Sequence, residues 1–158
     1  MSEWLKFLIP NAGGFLVTIS TAFFAAFFSA RWGARQAFRE RWWDKKVSAY
    51  TEIIEALHDL IRYSDLMVHE ELTGTENPRR DEFGERYSEA YWKIQKATDI
   101  GAFAICREAT DILTNLRQRP KLDREENPTF EIYQNDSEYY KKALTQIREY
   151  ALRDLKVR

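Results

Sequence analysis

A chain of 158 residues with a formal net charge of −1 has room for one domain and an appended segment, since domains commonly run to about 100–200 residues. Hydrophobic residues at 44% and charged ones at 31% describe a globular chain, six Gly and four Pro are too few for a loop-rich β protein, and the charge balance excludes a uniformly basic nucleic-acid coat. One cysteine, Cys106, and two histidines, His58 and His69, exclude an internal disulfide framework and a Cys/His zinc site by counting.

From Phe7 to Ala30 no side chain is charged over 24 residues. About 20 apolar residues, rising 1.5 Å each, cover the roughly 30 Å of a bilayer core, so a transmembrane helix is expected from about Ala12 to Ala30. Pro10, Asn11 and the Gly13-Gly14 pair mark its start, and Trp4 and Trp32 bracket it as interfacial aromatics do. A cleaved signal peptide fits less well, because the run is too long and ends in Phe27-Phe28-Ser29 rather than a small-x-small site. Residues 31–46 then carry Arg31, Arg35, Arg39, Arg41, Lys45 and Lys46 against Glu40 and Asp44, six cations against two anions and a net of +4. Positive-inside bias places everything after the span in the cytoplasm, and the free Cys106 suits that reducing side.

Small residues recur at four-residue spacing in the span: Gly14, Thr18, Ala22 and Ala26 in one row, and Thr21, Ala25 and Ser29 in the next. Such rows let helices approach closely in lipid, so a homo-oligomer packed on this face is expected. Thr18, Thr21, Ala25 and Ser29 fall nearest the axis of a possible pore, which would be gated by apolar constriction because no charge lines it. The juxtamembrane cations are expected to touch anionic lipid, each worth about 1 kcal/mol near the surface. In an oligomer they would also form a ring attractive to a polyanion such as an oligonucleotide. Arg79-Arg80, Arg117, Arg119, Lys121 and Arg124 are further candidates for that contact.

No Pro occurs from Asn11 to Asn77, so one helix continues out of the membrane until Thr73-Gly74, with Trp43, Val47, Tyr50, Ile54, Leu57 and Ile61 as its buried stripe and Ile53, Leu60 and Met67 widening it. A second long helix is expected from about Glu82 to Arg117. Its heptad steps run from Phe83 to Gly101, and the spacing slips by one residue just beyond, so Gly101 marks a kink or a close helix contact. After Pro120 a long connection is pinned by Phe130, Ile132 and Tyr133, and Asp136 or Ser137 caps a last helix bearing Tyr140, Leu144, Ile147 and Ala151. The expected architecture is all-α: residues 1–30 as N-terminus and transmembrane helix, 31–46 as a basic juxtamembrane helix, and 47–158 as an antiparallel cytoplasmic bundle of about three long helices.

No Gly-rich phosphate loop, HExxH, GxSxG or CxxC occurs. His58 and His69 are eleven residues apart, about 16 Å along a helix, and cannot share a metal. Glu70-Glu71 and Glu125-Glu126 read as solvated surface. No catalytic residue, metal or cofactor is expected.

The stretches RERWWDKKVSAYTEIIEALHDLIRY, KATDIGAFAICREATDIL and ALTQIREYALRDLKVR resemble small bacterial proteins with one N-terminal span and a cytoplasmic helical domain, among them the membrane effectors of anti-phage loci and, more narrowly, those of Hailong-type defence systems. The resemblance implies an inner-membrane ion channel that depolarises the infected cell, under the control of single-stranded DNA made by a nucleotidyltransferase partner encoded nearby. These stretches are helix-patterned and carry no ligand signature, so no binding residue follows from them. The competing expectation is a non-conducting membrane-tethered scaffold that holds a cytoplasmic partner.

Overall fold

In a computed structural model the chain forms four α-helices, α1 (Trp4–Thr73), α2 (Arg80–Ile100), α3 (Arg107–Arg117) and α4 (Thr129–Lys156), with a 3-10 turn at Gly101–Phe103. The backbone is described for residues 4–123 and 125–156, and side chains for 29, 31, 32, 35, 36, 38–101, 103–123 and 125–156. Among the described residues there is no strand, and no helix is long and apolar enough to cross a membrane. Gly14, Thr18, Thr21, Ala22, Ala25 and Ala26, expected to pack the span, lie outside the described side chains; Ser29 is exposed. Two compact units divide the chain, Met1–Trp42 and Trp43–Arg158.

The second unit is a helical bundle whose core follows the apolar stripes. Tyr50, Ile53, Leu57 and Leu60 of α1, Ala90 and Ile94 of α2, Ala109 and Leu113 of α3, and Tyr140, Leu144, Ile147 and Ala151 of α4 are all buried in one cluster. On α1 the centre of the stripe lies at Ile53, Leu60 and Met67, while Ile54 and Ile61 sit at its edge. The helix ends at Thr73 because Gly74 takes a positive φ of 66° and returns its N–H to the Glu70 carbonyl at 2.8 Å. A left-handed residue here suits glycine and closes the helix.

Glu70 departs from the surface role expected of it. Its side chain is buried, accepts the Asn77 N–H at 2.7 Å and lies 3.7 Å from the Arg80 guanidinium. The polar connector folds back over the end of α1, and this carboxylate satisfies a backbone amide that would otherwise lack a partner. Glu125 and Glu126 are exposed.

The expected second helix is two helices. It breaks at Gly101, where the 3-10 turn and Cys106, extended at ψ 158°, redirect the chain into α3. A Cβ on Gly101 would lie 3.0 Å from the Thr110 hydroxyl and 3.3 Å from Ile105 Cδ1, so any side chain here crowds the corner and its neighbours must shift. Gly101→Val should therefore cost about 1–3 kcal/mol by overpacking, measured as a lowered midpoint in thermal unfolding followed by circular dichroism.

The last helix begins seven residues or more before the expected cap. Pro128 opens its first turn, with its carbonyl accepting the Glu131 and Ile132 amides at 3.0 and 3.3 Å. Asp136 and Ser137 are interior to α4, and Phe130, Ile132 and Tyr133 are half-buried in its first turns rather than in a loop.

Candidate functional site

In the first unit the described side chains are those of a basic and aromatic helical segment. Arg31, Arg35 and Arg39 recur every four residues and so share one helical face. All three are exposed, as is Arg41, and none has an acidic partner among the described residues. Trp32 and Phe38 are 73% and 70% exposed, and Phe38 stacks on Trp42 with ring centroids 6.5 Å apart and planes 9° from parallel. Large aromatics are costly in water, and Arg interleaved with Trp and Phe is the composition that suits a bilayer headgroup layer or a stacked polyanion.

The two remaining cations of the basic segment belong to the second unit and differ from each other. Lys45 is exposed. Lys46 turns inward, its Nζ 2.9 Å from Asp154 Oδ1 with both side chains largely covered. Its charge is committed to holding α4 against α1, so it does not join the exposed cations. The same carboxylate accepts the Tyr50 hydroxyl at 2.9 Å, and Tyr50 Oη in turn accepts the Cys106 N–H at 3.1 Å. One phenol thus ties α1, the end of α4 and the start of α3. Burial, then the neighbouring Cys106 side chain and the hydrogen bond to Asp154, push its pKa far up, the Cys106 N–H offsetting only part of this, so it stays a neutral donor.

Most of the other cations proposed for a polyanion are already paired. Arg79 pairs with Glu82 at 2.8 Å, Arg80 with Glu76 at 3.1 Å and Arg117 with Asp99 at 2.9 Å. Arg119 is buried and structural. It reaches Asp136 at 2.7 Å, donates to the Tyr140 hydroxyl at 2.9 Å and to the Leu116 carbonyl at 3.0 Å, and stacks 4.8 Å from the Tyr140 ring centroid. Tyr140 Oη continues to Tyr87 Oη at 3.2 Å, and Tyr87 packs on Tyr63 at 4.7 Å. Lys121 is exposed, and Arg124 lies outside the described residues.

A cleft of about 300 Å³ opens in the second unit between α1 and the end of α2. Ala49, Ile53, Ala97, Ile100 and Ile105 make its floor, with Glu52, Lys93 and Lys96 at the mouth. Periodicity could not reveal it, because Ala97 and Ile105 read as ordinary stripe residues; Lys93 and Lys96, three apart beside that stripe, were the available signal. Among the described residues no group of three His, Cys, Asp or Glu side chains converges as a metal site would require. His58 and His69 are exposed, and Cys106 is half-buried against the core.

No known family, curated protein or solved structure matches this chain.

Proposed function

We propose that this chain is a single-pass protein of the bacterial inner membrane whose spans associate into a gated pore, with the second unit as a cytoplasmic sensor. The observation that carries the reading is the exposed basic and aromatic segment of α1 at residues 31–42, which directly follows 24 uncharged residues. Apolar length supplies the span, the exposed tryptophan and arginines supply its interfacial anchor, and the net charge orients it. Gly14, Thr18, Thr21, Ala22, Ala25, Ala26 and Ser29 form the packing face in this reading. The exposed Arg31, Arg35, Arg39 and Arg41 meet anionic headgroups or a regulatory polyanion such as single-stranded DNA. Because α1 belongs to both units, a partner or ligand bound to the bundle acts on the span through one continuous helix. Depolarisation of an infected cell is the activity that fits the resemblance noted for the sequence.

The test is the membrane potential of bacteria expressing the full chain, read with a voltage-sensitive dye, beside the Ala22→Leu/Ala26→Leu variant. Both proteins should resist carbonate extraction from membranes, and only the wild type should collapse the potential. Equal collapse in the two overturns a pore packed on this face, and collapse in neither means a channel held closed until triggered or the tethered scaffold. Release of the wild type by carbonate overturns the span itself.

A further inference from the structure

The cleft between α1 and α2 has a chemistry that neither a membrane anchor nor a pore requires. Its floor is aliphatic, from Ile53 of α1 to Ala97 and Ile100 of α2 and Ile105 beyond the turn. Ile100 is 47% exposed, so apolar surface remains in contact with water here. At about 300 Å³ the space lies at the small end of ligand sites, which run to roughly 300–1,000 Å³.

The mouth decides what kind of ligand fits. Lys93 and Lys96 are exposed and have no ion pair among the described residues, whereas Asp99 of the same helix is held by Arg117 at 2.9 Å. Glu52 stands opposite on α1 and accepts the Ser48 hydroxyl at 3.3 Å. Two cations and one anion favour a ligand of single negative charge. A polyphosphate would face the Glu52 carboxylate and leave the aliphatic floor wet, and a neutral hydrocarbon would leave both ammonium groups unused.

We propose that this cleft binds a small amphiphile with one anionic head, of the fatty-carboxylate class, its chain on the Ile53–Ala97–Ile105 floor and its head between Lys93 and Lys96. The site lies wholly within the second unit, and its occupancy does not depend on whether the spans conduct. Ile105 immediately precedes Cys106, whose amide is bound by Tyr50, so a bound chain rests against the corner where α1, α3 and α4 are joined.

The experiment uses the full chain in bacterial membranes, labelled with a diazirine-bearing decanoic acid and mapped by peptide mass spectrometry. Label should fall within residues 49–53 and 97–105 and be displaced by decanoate. Decanol, with the same tail and no charge, should compete roughly fivefold less well, as expected for loss of exposed ion pairs. Lys93→Gln/Lys96→Gln should reduce labelling by a similar factor, and Ala97→Trp, which fills the floor, should abolish it. Displacement by decanoate alone assigns a free carboxylate, and displacement by a short-chain phosphatidylglycerol assigns the chain and head of a membrane lipid. Label confined to the N-terminal apolar run, or undiminished in the lysine variant, overturns the site. The lysines are exposed, so their replacement keeps the test valid even if Ala97→Trp impairs folding.

Discussion

Replacing Arg119 with alanine should destabilise the second unit by about 3 kcal/mol, the largest loss expected from any single ion-pair substitution among the described residues. Breaking a buried pair by removing one partner costs about 3–5 kcal/mol, because the surviving charge is left without compensation. The lower end applies here, since the Arg119 side chain is 7% exposed but Asp136 keeps 18%. Three acceptors lose their donor together: the Asp136 carboxylate, the Tyr140 hydroxyl and the Leu116 carbonyl. The Tyr140 ring also loses the guanidinium stacked at 4.8 Å. In a chain of this size the loss corresponds to a fall of roughly 10 °C in the unfolding midpoint. Thermal unfolding by circular dichroism measures it directly. The double variant Arg119→Leu/Asp136→Leu should recover much of the loss, because it leaves no charge stranded. A single variant that melts with the wild type would mean that water reaches Asp136 and that the pair contributes no more than an exposed one. Arg79 and Glu82 provide that comparison at 57% and 41% exposure, and such pairs contribute about 0–1 kcal/mol.

Alkaline pH should unfold the second unit steeply. Tyr50 and Tyr140 are each 1% exposed, and burial pushes both phenols above the usual range. Tyr63 and Tyr87 are raised in the same direction, again with burial as the leading cause. The unfolded chain releases these protons near pH 10, whereas the folded chain retains them. The unfolded state therefore binds fewer protons above that pH, and stability falls as pH rises. Below about pH 10 the contribution is fully present. Above it, each fully buried phenol removes about 1.4 kcal/mol per pH unit, roughly 3 for Tyr50 and Tyr140 together. Tyrosinate absorbance should show the Tyr50 and Tyr140 phenols ionising only with loss of helicity. Smooth titration of all eight tyrosines with the helices intact would show that the Tyr50 and Tyr140 contacts open in the native state.

Both predictions rest on partners distant in sequence, and such partners mark the limit of what the chain order reveals. Short-range physics made much of the architecture legible. The apolar stripes around Leu57, Ile94 and Ile147 follow helical periodicity, and Gly74 and Pro120 end helices through local backbone preference. Gly101 also stood out, because it lies on the stripe at the point where the spacing slips. Whether that position bends a helix or breaks it was decided by the neighbours that crowd it, Thr110 and Ile105.

The pair Asp136-Ser137 shows the opposite case. By composition it is a helix cap, since short polar side chains compete for backbone amides. Within the bundle those side chains find stronger partners, Asp136 at Arg119 and Ser137 Oγ donating to Asp65 Oδ1 at 2.5 Å. Their polar groups are satisfied away from the backbone, so α4 runs on from Pro128 without a break. Glu70 and Lys46 moved from the expected surface for the same reason, each held by a group that only the folded chain brings near.

The sequence by itself determined the helical class, the main helix ends near Gly74 and Pro120, and the basic, aromatic and apolar makeup of the first 46 residues, because these depend on composition and on residues within a turn or two. Tertiary structure alone decided which cations remain free, which carboxylates are buried, and where an aliphatic cleft opens. Those outcomes depend on pairs separated by 17 residues at Arg119 and Asp136 and by 108 at Lys46 and Asp154. Helical periodicity states which face a residue occupies, and only packing states what that face meets.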